Sequence, residues 1–231
     1  MDKIKCMKDL AVFSTLSPQE RNKIGEIAFK KLYRKNEFIF REGDPADSIY
    51  LIKYGRIKLF KTADNGKEIT LDIMKEEDIL GENTFLEDVL HTMNAQALED
   101  TFVCSCTKGD FELLLENPKF ALKIIQVLGT LLNSYTEQMA SFAFRDVKGR
   151  IAATLLRLAE EHGKVSPQGN IIDINLTHQD LGNLVNASRV MVTNVLNDFK
   201  ERDIIMVSEH RIIIVNQQEL FNIANLVKVR L

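Results

Sequence analysis

The residues best suited to specific chemistry lie between positions 176 and 202. Arg189, Val190, Thr193, Asn194 and Asn197 recur at helical spacing, with Val192, Val195, Leu196 and Phe199 on the opposite side of the same helix. An arginine can grip a guanine edge with two hydrogen bonds, an asparagine can do the same to adenine, and a valine or threonine methyl can rest on the thymine methyl. Arg189 can equally hold a phosphate. Ser188 is placed to cap this helix. Upstream, Thr177 with Asp180 resembles a capping box, and Leu181, Leu184 and Val185 give a short helix one apolar face. Asn186-Ala187 makes a tight corner between the two helices, which is the pattern of a helix-turn-helix. The first helix begins at Thr177, His178 and Gln179 and the second at Ser188, so both helix N-termini offer N–H groups to phosphates. The apolar runs 204–207 and 212–215 read as a hairpin, a wing with His210 and Arg211 near its tip. Double-stranded DNA is the partner this pattern implies. The competing explanation is a polar, solvated helix face.

Charge weighs against DNA. The chain of 231 residues carries a net charge of -3. Residues 1–145 hold 20 Lys and Arg against 23 Asp and Glu, and residues 146–231 hold ten of each. Phosphate contacts supply most non-specific affinity, so any basic surface must come from placement rather than composition. No apolar run approaches the roughly 20 residues of a membrane span, and residues 1–10 do not form a secretory signal. A cytoplasmic protein is expected, with no membrane partner. Cys6, Cys104 and Cys106 build no disulfide framework. A phosphate-binding glycine loop, a metal-spaced His/Cys cluster and a nucleophile motif are all missing from the sequence, so neither an enzyme nor a metal site is expected.

The elements that must position the reading helix change character along the chain. Ser17-Pro18-Gln19-Glu20 is a helix start. Short strands then follow: Phe38-Ile39-Phe40, Ile49-Tyr50-Leu51-Ile52, the alternation from Arg56 to Leu59, and another from Glu68 to Ile73. Turn signals at Gly43-Asp44-Pro45, Tyr54-Gly55 and Asn65-Gly66 separate them, as in a sandwich or barrel. From Asn117-Pro118 to about Arg145 the pattern is helical, and Ala121, Ile125, Leu128, Leu132, Tyr135, Met139 and Phe142 form a heptad seam. Such a seam serves either a helix lying on its own core or a self-pairing dimer helix, and the sustained 3.5-residue period favours pairing. A helix from Asp146 to His162 follows, with Gly163 as its C-cap, then a short strand at 171–174, the helix-turn-helix, the wing, and a last helix at about 217–229.

At these residues the chain resembles the cyclic-AMP receptor protein / fumarate-nitrate regulator (Crp/Fnr) superfamily of bacterial transcription factors over nearly its whole length. Phe40-Arg41-Glu42-Gly43-Asp44-Pro45-Ala46-Asp47-Ser48-Ile49-Tyr50-Leu51-Ile52 looks like the family's first β-roll hairpin, and Asp64-Asn65-Gly66-Lys67-Glu68 like its second turn. Gly81-Glu82 sits where the ligand cassette begins, and Phe144-Arg145-Asp146-Val147-Lys148-Gly149-Arg150-Ile151-Ala152 looks like the hinge. The resemblance implies an α+β fold: a cupin-like β-roll of cyclic-nucleotide-binding type at 1–116, a dimerisation helix at 117–145, and a winged helix-turn-helix at 146–231. It implies a homodimer on a palindromic site, with RNA polymerase as a further partner, and an effector pocket near Gly81, Glu82, Asn83, Thr92, Tyr135 and Thr136.

The departures bear on the signal. Cyclic-AMP-binding members place an arginine after Gly-Glu to meet the cyclic phosphate, but residues 83–102 contain no Arg or Lys. A desolvated phosphate without a cation is costly, so cyclic AMP is not the expected ligand. Cys104 matches one ligand position of the iron–sulfur members, whose other ligands lie in an N-terminal cluster where only Cys6 stands. No four-thiolate cluster is expected. Haem-binding members carry a Cys or His near Gly81-Glu82, which is lacking here, and His91 alone is a weak substitute. Cys104 and Cys106 share a strand face, as core residues or as a redox pair. The effector is therefore unknown: a thiol- or haem-responsive regulator and a ligand-independent one remain alternatives. In the reading helix, Arg189 keeps the family's Ser-Arg-Glu-x-x-x-x-Arg pattern, while Val190 replaces the Glu and Asn194 the second Arg. A half-site different from the family's usual one is expected.

Overall fold

The computed structural model describes residues 13–14, 16–81, 84, 90–208 and 211–225. They fall into two compact units, residues 1–131 and 132–231, and the division lies inside one long helix rather than at either end of it.

The first unit begins with α1 (Pro18–Ile27) and continues through β1 (Phe29–Tyr33), β2 (Phe38–Phe40), β3 (Ser48–Tyr54), β4 (Ile57–Thr62), β5 (Glu68–Met74), β6 (Ile79–Leu80), β7 (Asn94–Ala97) and β8 (Thr101–Thr107). The strands form two antiparallel sheets, ordered β1-β8-β3-β6 and β2-β7-β4-β5. Alternation along the strands sorts side chains to opposite faces. Ile52, Ile57, Leu59, Met74, Leu80, Ala95 and Val103 fill one apolar cluster. On the other side of β3 and β8, Ile49, Leu51, Cys104 and Cys106 meet Phe111 of α2 (Lys108–Leu115) and Phe120 and Ile124 of α3 (Pro118–Phe144). The sequence signals α3 at its observed position but gives no warning of α2, which is capped by the Thr107 hydroxyl.

Both cysteines are thus small core hydrophobes. Cys104 is 1% and Cys106 3% exposed, and burial pushes the Cys106 thiol up to about 12, with Asp110 adding to the shift. A thiol sensor requires an accessible, low-pKa sulfur. The burial of this pair runs against the redox role.

His91 lies in the same unit, 3% exposed and stacked on Phe40 with ring centroids 3.6 Å apart. Its backbone N–H donates to the Asp44 carbonyl and its own carbonyl accepts from Gly43. Burial holds its pKa below the usual histidine value, although Asp44 and Asp47 pull the other way. The neutral ring is therefore the native form, and below about pH 6.5, the ordinary histidine value, the unfolded chain binds the extra proton. Stability should fall as pH drops from that value toward the lower folded one. Calorimetry at pH 7.5, 6.5 and 5.5 should show His91→Phe losing less of its melting temperature over this interval than the parent chain.

The second unit takes the rest of α3, then α4 (Val147–His162), β9 (Gly163–Ser166), β10 (Gly169–Ile172), α5 (His178–Val185), α6 (Arg189–Glu201), β11 (Ile205–Ser208), β12 (Arg211–Ile214) and α7 (Gln217–Asn225). Its four strands make one sheet ordered β11-β12-β10-β9. The expected strand at 171–174 is instead the second arm of a β9–β10 hairpin that sequence reasoning missed. Gly163 ends α4, as expected, but in an extended conformation (φ -87°, ψ 159°) that leads straight into β9. A Cβ there would stand 1.9 Å from the Ala159 carbonyl oxygen, so only glycine permits the exit. Ile151, Leu155 and Leu158 of α4 are fully buried, as are Val192, Leu196 and Phe199 of α6.

Candidate nucleic-acid interface

The paired helices α5 and α6 are locked at every joint. Thr177 accepts from the Asp180 N–H at 3.1 Å while the Asp180 carboxylate accepts from the Thr177 N–H at 2.9 Å, a complete capping box with aspartate in the third position. Asn186 takes the left-handed conformation (φ 49°) that ends α5, and Ala187 N–H donates to the Gly182 carbonyl. Ser188 then caps α6, its hydroxyl accepting from the Met191 N–H at 3.2 Å. A Cβ on Gly182 would lie 2.7 Å from the Ala187 carbonyl oxygen. Gly182→Ala should therefore pry the corner open, costing about 1–3 kcal/mol in overpacking strain. A depressed melting temperature in thermal unfolding, with DNA binding weakened further still, would check this.

This corner leaves the outer face of α6 uncovered. Arg189, Val190, Asn194 and Asn197 are exposed, Val190 to 68%. The Arg189 guanidinium makes no ion pair among the described residues. Other cations nearby are committed internally: Lys148 to Asp198 at 2.6 Å, Arg202 to Asp198 and Glu219, and Arg145 to the Ala224 carbonyl. Arg150 donates both to the Val185 carbonyl at the end of α5 and to the Arg145 carbonyl just past α3. It thereby ties the long helix to the helix-turn-helix, a role that nothing in its sequence context signals.

The remaining candidate DNA residues divide. Thr177 and Gln179 are exposed at the start of α5, with the Gln179 amide donating to Asn183. The His178 Nδ1 lies 2.8 Å from the Thr193 hydroxyl, so α5 and α6 are also joined by side chains. Burial, with Lys200 and Arg189 close by, lowers the His178 pKa. At the wing, Arg211 opens β12 one residue earlier than the sequence suggests, and its guanidinium is held 3.1 Å from Asp173. Asp173 also takes Lys164 of β9. Arg211 is thus less available than expected, and Lys164, which the sequence does not single out, shares the same carboxylate. His210 lies outside the described residues.

Of the effector candidates, Gly81 follows β6 at φ 93°, and Thr92 is exposed. Tyr135 is half-buried on α3, and the Thr136 hydroxyl donates to the Leu132 carbonyl one turn back. Glu82 and Asn83 lie outside the described residues. Thr84, not singled out by sequence, is fully buried and donates to the Ser48 carbonyl. Among the described residues no group of three or more His, Cys, Asp or Glu is placed to hold a metal ion.

A helix-turn-helix flanked by a wing, joined through one long helix to a strand-rich domain, defines a class of DNA-binding regulators. The known proteins agree. The cyclic nucleotide-binding domain profile matches residues 30–117 and the Crp-like helix-turn-helix domain profile residues 149–223. The anaerobic regulatory protein of Bacillus subtilis is 31% identical over 195 residues, spanning 84% of this chain and 82% of its own. The CRP-like cAMP-activated global transcriptional regulator of Mycobacterium tuberculosis is 28% identical over 189 residues, 81% of this chain and 84% of its own. The structure of FixK2 from Bradyrhizobium japonicum shares the fold with a TM-score of 0.75 at 21% identity, over 85% of this chain and 97% of that one. The chain belongs to the CRP/FNR family of transcription regulators, which are not enzymes. No helix among its described residues is long and apolar enough to cross a membrane.

Proposed function

We propose that this protein acts as a homodimer that binds a palindromic duplex site, with α6 of each protomer in the major groove, and that its input is not cyclic AMP. The observation that carries the DNA reading is the uncovered face of α6, where Arg189 makes no ion pair among the described residues while Lys148, Arg202 and Arg145 are held internally. Dimerisation is supported by α3. Ile125, Leu132 and Met139 are 63%, 66% and 72% exposed along one seam, and Leu128 and Phe142 are also exposed. An apolar stripe of this length on a single protomer is what a self-pairing helix presents. Two half-sites one helical turn apart then match two copies of α6. RNA polymerase is the further partner that transcription regulation implies.

The case against cyclic AMP rests on charge. His91 is the sole basic side chain in residues 83–102, and its buried ring favours the neutral form. That segment therefore brings no cation to a cyclic phosphate. The relatives are named for different signals, anaerobic regulation for one and cAMP for another, so family membership does not carry an input across.

Selection from a randomised duplex pool tests the proposal. A palindromic consensus is expected, with a half-site unlike that of the cyclic-AMP receptor protein, and cyclic AMP should leave both affinity and melting temperature unchanged. Enrichment of the receptor's own half-site, or a clear thermal shift with cyclic AMP, would refute the corresponding part.

A further inference from the structure

Thr193 stands at the edge of the exposed face of α6, beside α5, partly exposed, with its hydroxyl doubly engaged. Its Oγ1 lies 2.9 Å from the Arg189 carbonyl oxygen one turn back and 2.8 Å from the His178 Nδ1. The carbonyl can only accept, so the threonine proton points to it. The histidine must then donate, which places its own proton on Nδ1. This chain of bonds runs from His178 through Thr193 to Arg189 and fixes the threonine rotamer. The hydroxyl has one proton and it is spent. It has none left for the acceptors that purines and thymine show in the major groove: guanine O6 and N7, adenine N7 and thymine O4.

We propose that Thr193 is a specificity-determining residue that reads thymine through its γ-methyl group, its hydroxyl being withdrawn from base recognition by His178 and the Arg189 carbonyl. The inference rests on the proposal that α6 enters the major groove. Val190, exposed one helical turn before Asn194, supplies a second methyl surface, so thymine methyls should be read at two positions of each half-site by two different side chains.

The test uses the full-length protein and the tightest duplex recovered from the randomised pool. Each thymine is replaced in turn by deoxyuracil, which lacks only the C5 methyl, in both half-sites together. Losing one buried methyl contact weakens binding about fourfold, so the paired replacement should weaken it roughly 15-fold at a read position. Thr193→Val keeps the methyl surface and removes the hydroxyl. It should retain the deoxyuracil penalties and the same selected base. Thr193→Ser keeps the hydroxyl and removes the methyl. It should lose the penalty at one position and keep it at the position read by Val190, which also shows that the variant is folded and docked. The proposal is overturned if Thr193→Ser keeps every penalty, or if no deoxyuracil replacement weakens the parent protein. It is equally overturned if Thr193→Val changes the selected base, because the remaining lone pair of the hydroxyl would then be accepting from adenine N6 or cytosine N4. Failure of the parent protein to select any duplex would instead refute the DNA-binding proposal beneath it.

Discussion

A chain carrying Leu132→Asp together with Met139→Asp is expected to sediment as a monomer and to lose its site-specific mobility shift. Both side chains belong to the exposed seam of α3, and neither contributes to the buried core of its own protomer. Aspartate in a helix costs only about 0.5 kcal/mol in propensity, so the circular dichroism of the protomer should survive. At a self-paired seam the same changes would bury four carboxylates, each penalised by several kcal/mol. A total above 10 kcal/mol is enough to carry a nanomolar dimer past the millimolar range. Persistence of the dimer in analytical ultracentrifugation would show that α3 is covered by something other than a second copy.

Arg189→Ala should sharply weaken binding to the specific duplex with little change in folding. A bidentate arginine–guanine contact is worth about 1–3 kcal/mol, and a palindrome uses it twice. The loss in specific affinity is then roughly 30-fold to 20,000-fold. The salt dependence separates the two roles open to this side chain. If Arg189 reads a base, relaxed specificity at one position should accompany the loss. If it holds a phosphate, binding should weaken evenly across sequences and the salt slope should shrink by about one per arginine. Quantitative mobility shifts on specific and scrambled duplexes at several salt concentrations distinguish these outcomes.

The strongly periodic parts of this molecule were legible in advance. The seam of α3, the capping of α5 and α6, and the alternating strands β3 to β5 follow from local pattern, and the structure places them close to where the pattern says. Elements resting on non-local contacts were not legible. No strand is signalled before Phe38, yet β1 pairs with the distant β8, Phe29 opposite Ser105. The β9–β10 hairpin was missed because Gly163 looked like an ordinary helix stop, whereas its extended geometry starts a strand. At the candidate interface, residue types single out Arg189, Thr193 and Asn194, but not which groups are already spent. That Arg211 is held by Asp173, that Arg150 grips two carbonyls, and that the Thr193 hydroxyl is occupied are facts of position rather than composition. The neutral charge balance of the second unit becomes intelligible in the same way. Most of its described cations are paired with internal carboxylates or carbonyls, so the DNA-facing charge is a small unpaired remainder.

The division between the two units falls between Leu131 and Leu132, inside a continuous 27-residue helix and not at a linker. A helix advances 1.5 Å and turns 100° per residue. If α3 pairs with a second copy, one residue inserted near that point would swing every later seam position a quarter-turn and more away from its partner, whereas seven would return them to nearly the same azimuth. The length of α3 is therefore quantised, behaving like a keyed shaft whose splines must stay in phase. Among homologues, insertions and deletions in this helix should occur in whole heptads or be absent, while the turn between β4 and β5 can lengthen freely.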